Sequence, residues 1–176
     1  IIDVNGQLAD YAFPGAWNDP DMLVVGLFGK SSNINSGGIK YGCTLNEYRT
    51  HMSMWCMMAS PLLCGNDVRN MPDSVLKVLT NPEIIAINQD ALGLQGKMMR
   101  KEGNCEVWMK LLDGGRIALA VMNRGEEPEE VVIPFDLLGF PMKAFVRDVW
   151  SHRNLGELEQ LRLTLNPHVT AVFKLE

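Results

Sequence analysis

The chain has 176 residues, of which 47% are hydrophobic and 21% charged, with a net charge of -5. That length suits one substantial domain or two small ones. The mildly acidic balance gives no basic patch for nucleic acid or an anionic membrane, and runs such as MLVVGLF are too short to span a bilayer.

The chain opens in IIDVNG without an initiator Met or a charged segment ahead of an apolar one. It is therefore expected to be a fragment, with no signal peptide visible. Asp3, Asn5 and Gly6 match the start of a calcium loop, but position twelve of that pattern needs a bidentate Glu and Pro14 stands there. Next comes GAWNDPDMLVVG, Gly15 to Gly26, with Asp19 and Asp21 flanking Pro20. Such a pair can be an acid/base couple, a metal site or ordinary loop chemistry. Pro20 restrains its own φ and biases Asp19 towards extended backbone. DMLVVG reads as a short buried strand.

GKSSNINSGGIKYG has no periodicity and reads as a loop. Thr44 and Glu47 then form a capping-box pattern. The helix it opens puts Leu45, Tyr48, Met52, Trp55, Cys56 and Ala59 on one packing face and ends at Pro61. PLLCG is a second short apolar strand, leading into Asn66 and Asp67. Further helices are expected from Pro72 to Leu79 and after Asn81-Pro82-Glu83, where Asn caps and Pro takes the first position. Strand, helix, strand, helix is the order of parallel α/β structure.

The period becomes two after Gly96. CEVWMKL and RIALAVMN flank the turn signal Asp113-Gly114-Gly115, and EEVVIPF, KAFVRDVW, ELEQLRLTL and HVTAVFKLE follow. At least six strands with almost no helix predict an antiparallel sandwich. The domain boundary falls between Ala91 and Gly96, giving units 1–92 and 96–176. Cys43, Cys56, Cys64 and Cys105 form no C-x-x-C pair, and only His51 lies near them, which argues against zinc. They read as buried reduced thiols, a lean towards a cytoplasmic location that leaves secretion open.

YAFPGAWNDPDMLVVG, EYRTHMSMWCMMASPLLCGNDVRNM and NPEIIAINQDALGLQGK resemble the family 27 glycoside hydrolases, the α-galactosidase and α-N-acetylgalactosaminidase family. The likeness continues into EVWMKLL and IALAVMNR, similar to the first strands of that family's β-domain. The resemblance implies an α/β plus all-β fold, the C-terminal end of a (β/α)8 barrel followed by an antiparallel β-sandwich. Residues 1–92 would supply roughly the last two barrel strands, since a whole barrel takes about 250 residues.

Retaining glycosidases set two carboxylates about 5–5.5 Å apart as nucleophile and acid/base. In the family these are aspartates in K-Y-D and D-I-x-D motifs, neither of which occurs here, and Asp10 in LADY reads as loop. The resemblance therefore implies that no catalytic residue lies in this chain. It implies substrate-binding roles for Asp21 and Met22, which match positions lining the sugar pocket, and supporting roles for Trp17, Asp19 and Asp67. No cofactor and no metal is implied. The implied partners are a galactoside or oligosaccharide substrate and the N-terminal remainder of the barrel, without which the chain is expected to be inactive. Alternative sugars are an α-N-acetylgalactosaminide or a β-L-arabinopyranoside. A non-catalytic carbohydrate-binding or interaction module, in which only the sandwich matters, is the rival class. Arg69 and His51 read as surface or helix-face groups, and His152 and His168 lie far from any visible carboxylate cluster. Trp108 and Trp150 suit either a sugar-binding face or the sandwich core.

Overall fold

A computed structural model describes residues 1–28, 42–139 and 143–176. Most of the glycine-rich loop expected after Phe28 lies outside the described residues. The chain begins in a short helix, α1 (Ile2–Gly6), and a single 3-10 turn (Ala9–Tyr11). The stretch Asp3–Gly6 is thus helical. Asp10, within the 3-10 turn, is exposed and pairs with Lys97 at 2.5 Å.

The two expected strands meet at a single parallel rung, Leu23 beside Cys64. Leu23 N–H donates to the Leu63 carbonyl at 2.7 Å, and Gly65 N–H donates to the Leu23 carbonyl at 2.9 Å. The extended run cannot lengthen, because Asp21 (φ 88°) and Gly26 (φ 87°) turn the backbone away at either end. DMLVVG and PLLCG are therefore one rung of a parallel ladder rather than full strands.

Helix α2 (Leu45–Met57) opens on the capping box of Thr44 and Glu47, both halves of which are formed. It stops earlier than the pattern predicts. Ala59 takes a left-handed φ of 54°, its N–H bonds the Cys56 carbonyl, and Ser60 N–H bonds the Trp55 carbonyl. This is a Schellman ending with alanine where glycine is usual. Helices α3 (Asp73–Leu79) and α4 (Pro82–Asn88) follow, the second capped by Asn81, whose side chain accepts from Glu83 and Ile84 N–H.

Eight antiparallel strands complete the chain: β1 (Lys97–Glu102), β2 (Cys105–Leu111), β3 (Ile117–Asn123), β4 (Glu129–Pro134), β5 (Ala144–Asp148), β6 (Arg153–Leu158), β7 (Gln160–Leu165) and β8 (Thr170–Leu175). A six-stranded sheet in the order β1-β2-β3-β8-β5-β6 faces the two-stranded sheet β4-β7. Residues Val107, Leu119, Val121, Ile133, Phe135 and Phe173 fill the space between the sheets.

The larger sheet is buried on both sides. Ala118, Ala120, Met122 and Val172 point the other way and join one core with Tyr48, Met52, Trp55 and Ile84 from the helices. Strict alternation in IALAVMN thus serves two cores at once, which is why that strand reads as continuously apolar. Trp108 belongs to this helix-side core, and a Cβ on Gly6 would lie 2.7 Å from its ring. Trp150 is half-buried and donates from Nε1 to Ser53 Oγ at 3.0 Å. Neither tryptophan lies between the two sheets; both pack into the core shared by the helices and the larger sheet.

Polar groups stitch the same seam. Lys110, buried on β2, donates from Nζ to the Cys56 carbonyl (3.1 Å) and the Ile87 carbonyl (2.5 Å), near the C-terminal ends of α2 and α4. Burial pushes its ammonium down to a pKa of about 8. Glu83 takes a two-pronged ion pair from Arg147, and His152 reaches it at 2.5 Å. His168 contacts Glu47 at 3.0 Å and Glu126 at 3.4 Å. Both β-domain histidines therefore do face carboxylates, contrary to the sequence expectation, because folding brings the helices' acids across to them. Cys56 and Cys105 are buried, whereas Cys43 and Cys64 are exposed, the latter because its rung has a neighbour on one side only. No helix among the described residues is long and apolar enough to cross a membrane.

Candidate functional site

The WNDPDM segment is a tight turn. Asp19 Oδ1 accepts from Asp21 N–H at 3.0 Å across Pro20, an Asx turn. Asp21 has φ 88°, a region that favours glycine, so this residue carries strain of about 1–3 kcal/mol. Three hydrogen bonds hold it there. Besides the Asp19 contact, the Trp55 indole N–H donates to the Asp21 carbonyl at 2.9 Å, and Asp21 Oδ1 accepts from Met22 N–H at 2.7 Å. Oδ2 has no protein partner among the described residues, and the side chain is exposed.

Asp21 and Met22 line an open cleft of about 430 Å³, together with His51 and Trp55 from α2. Asp3 and Arg124 stand in the same cleft and pair at 2.8 Å. Arg124 also contacts buried Glu106 at 3.2 Å, which in turn accepts from the Trp108 indole at 3.2 Å. The β-domain thus contributes a guanidinium to the wall of a cleft built by the first half of the chain. Met22 passes over Gly65, where an added Cβ would lie 2.6 Å from its sulfur and 2.9 Å from the Leu23 carbonyl. Glycine is required there to let the two parallel segments close up.

His51 stacks on Trp55 with ring centroids 3.9 Å apart and planes 24° from parallel. Its Nε2 accepts from Val24 N–H at 3.4 Å, and burial pushes its pKa down to about 4. A neutral ring is what an accepting nitrogen against backbone N–H demands. His51, read from sequence as a surface or helix-face group, lies on the face of α2 that lines the cleft.

The other anticipated residues are scattered. Asp67 is exposed and bound to Arg69 by its side chain and backbone, and the guanidinium holds its carboxyl below the usual range. Trp17 is half-exposed over a separate groove with Ala59, Pro61 and Asn88. Asp19 reaches the site through its hydrogen bond from Asp21 N–H. Sequence reading missed Trp55, His51 and Arg124 as cleft residues. The i, i+4 spacing of His51 and Trp55 on the inner face of α2 is a usable signal for the first two; nothing local marks Arg124.

Two parallel segments, with helices packed on them and an antiparallel sandwich behind, have the form of the closing part of a parallel α/β barrel joined to a β-sandwich domain. Residues 2–90 match the family model described as "Alpha galactosidase A", and residues 102–175 match "Alpha galactosidase C-terminal beta sandwich domain". The chain belongs to the α-galactosidase family, glycoside hydrolase family 27, of which it represents the C-terminal portion. Alpha-galactosidase 3 of Arabidopsis thaliana is 43% identical over 154 residues, covering 85% of this chain and 32% of that protein. The crystal structure of a candidate alpha-galactosidase/melibiase from Bacteroides fragilis superposes with a TM-score of 0.90 at 42% identity, over 99% of this chain and 37% of that one. A family 27 β-L-arabinopyranosidase from Geobacillus stearothermophilus gives 0.88 at 27% identity, over 99% and 41%. The chain therefore spans 32–41% of the length of these relatives.

Proposed function

We propose that this chain is the C-terminal part of a retaining α-galactosidase-type hydrolase that cleaves terminal α-galactosyl residues. In this reading, residues 1–92 complete the barrel and residues 96–176 form the sandwich domain. The nucleophile and acid/base aspartates lie outside the 176 residues, so the chain alone does not turn over substrate. One carboxylate attacks the anomeric carbon while the other protonates the departing oxygen, and water then hydrolyses the glycosyl-enzyme intermediate. Asp21 Oδ2 accepts a hydrogen bond from a sugar hydroxyl, and Met22 supplies apolar contact to the ring.

The parallel rung of Leu23 and Cys64 carries this reading. It aligns the Asp21-Met22 turn with the second segment beside an open cleft, in a chain whose residues 2–90 match the family model. The rest of the barrel is the partner that would cover the exposed apolar side chains of Val4, Tyr11, Phe13 and Leu63.

The test is a panel of nitrophenyl glycosides with the full-length enzyme. The α-galactoside is expected to react fastest, and Asp21→Asn is expected to lower kcat/KM about 10- to 100-fold, the scale of one charged hydrogen bond. An unchanged rate would remove Asp21 from the pocket. A β-L-arabinopyranoside is the second reading, favoured by the superposition on the Geobacillus enzyme. Preference for that glycoside, or for an α-N-acetylgalactosaminide, would change the sugar and keep the mechanism.

A further inference from the structure

We propose that Trp55, oriented by the stacked ring of His51, is a positioning residue whose indole N–H locks the Asp21 peptide so that the carboxylate faces the cleft. This rests on the reading of Asp21 as a sugar contact. Asp21 is held at φ 88°, where a non-glycine residue does not stay without restraint. Its preceding peptide is tied through Asp19 to its own turn, a local bond that moves with the turn. The bond from Trp55 Nε1 to the Asp21 carbonyl is the contact that anchors the turn to a rigid helix 34 residues away.

Trp55 itself is buried, and its ring plane is fixed by the flat His51 ring 3.9 Å away. His51 in turn is tied to the neighbouring strand segment through Val24 N–H. One helix face thus grips the segment at two peptides, Asp21 and Val24, on either side of the Leu23 rung. Charged groups facing the same cleft are Asp3 and Arg124, already paired with each other, and Asp21.

Losing one such bond shifts the conformational balance of the turn about five- to tenfold. In the full-length enzyme, Trp55→Phe keeps the stacked ring and deletes the donor. It is expected to raise KM for the nitrophenyl galactoside, and weaken galactose binding by calorimetry, about five- to tenfold. The value of kcat should stay within about twofold, because substrate and transition state lose the same contact. His51→Gln and His51→Ala both delete the ring stacked on Trp55 and should raise KM, Gln by less because it retains an acceptor for Val24 N–H.

A merely structural tryptophan would lower Tm and the yield of active enzyme with KM unchanged, and that result overturns the proposal. If Trp55→Phe does not fold, equal KM values for wild type, His51→Gln and His51→Ala overturn it instead. Should Asp21→Asn leave kinetics untouched, the sugar-contact reading fails and the positioning role with it. A severe Asp21→Asn defect beside a wild-type KM for Trp55→Phe sinks the positioning role alone.

Discussion

Burial against the Trp55 ring sets the charge of His51. Its native pKa lies near 4, against 6.5 for the free side chain. Between those values the unfolded chain binds more protons than the native one, so stability falls as pH drops from about 6.5 to about 4. The loss is on the order of 2–3 kcal/mol, since each pKa unit is worth about 1.4 kcal/mol and the ring is only partly enclosed. Thermal unfolding of the full-length enzyme across that window should show a steeper decline for wild type than for His51→Gln, which has no proton to gain. Parallel curves would mean that the ring is solvated in solution. At this scale the sequence was only half legible. Asp19, Pro20 and Asp21 announce a turn by residue type, but the inward face of His51 depends on a helix packing against a segment 27 residues earlier.

Helices α2 and α4 end on a buried ammonium. The carbonyls of Cys56 and Ile87 carry the partial negative charge of their helix ends, and Lys110 from β2 satisfies both. Lys110→Met keeps most of the apolar stem and leaves two buried acceptors unpaired, so a loss of about 2 kcal/mol is expected. Its pH dependence is diagnostic. Native Lys110 titrates near 8 and the unfolded side chain near 10.5, so the unfolded state holds more protons between them. Wild-type stability should therefore rise through that window while the Met variant stays flat, widening the gap in Tm. A gap that narrows with pH would mean that the charge, rather than the hydrogen bonds, stabilises the helix ends.

The same elements show what pattern reading could reach. The capping box of Thr44 and Glu47 is local chemistry and was readable. The end of α2 was not, because Ala59 adopts a left-handed backbone that glycine normally signals. Likewise DMLVVG has the composition of a strand, yet strand length is a property of its neighbours, and it pairs at one rung. Lys110 alternates with the apolar residues of β2 and is nonetheless buried, because the second core behind the sheet is supplied by the other half of the chain.

At the scale of the whole molecule, that second core decides whether the sandwich is an independent module. Its helix-facing side presents Trp108, Ala118, Ala120, Met122 and Val172, all buried by residues from the first half. Thr50 donates to the His168 carbonyl at 2.7 Å, and Asn81 donates to the Val149 carbonyl at 3.0 Å, across the same seam. Two ionic contacts reinforce it in overlapping pH windows. The Arg147 bond lowers the Glu83 pKa, so that contribution is complete above pH 4.5 and fades as pH falls through the lowered native value. The Glu47 bond raises the His168 pKa, so that contribution is complete below 6.5 and fades as pH rises through the raised value. Both are present together from about pH 4.5 to 6.5. Produced alone, residues 96–176 would expose a contiguous apolar sheet face and strand Lys110 without its carbonyl partners. Such a fragment is expected to bind a hydrophobic dye and self-associate in sedimentation, even at pH 5.5 where the seam is strongest in the intact chain. A monodisperse fragment with a cooperative melt would instead establish the sandwich as self-sufficient, and would revive the non-catalytic module that the shared core argues against.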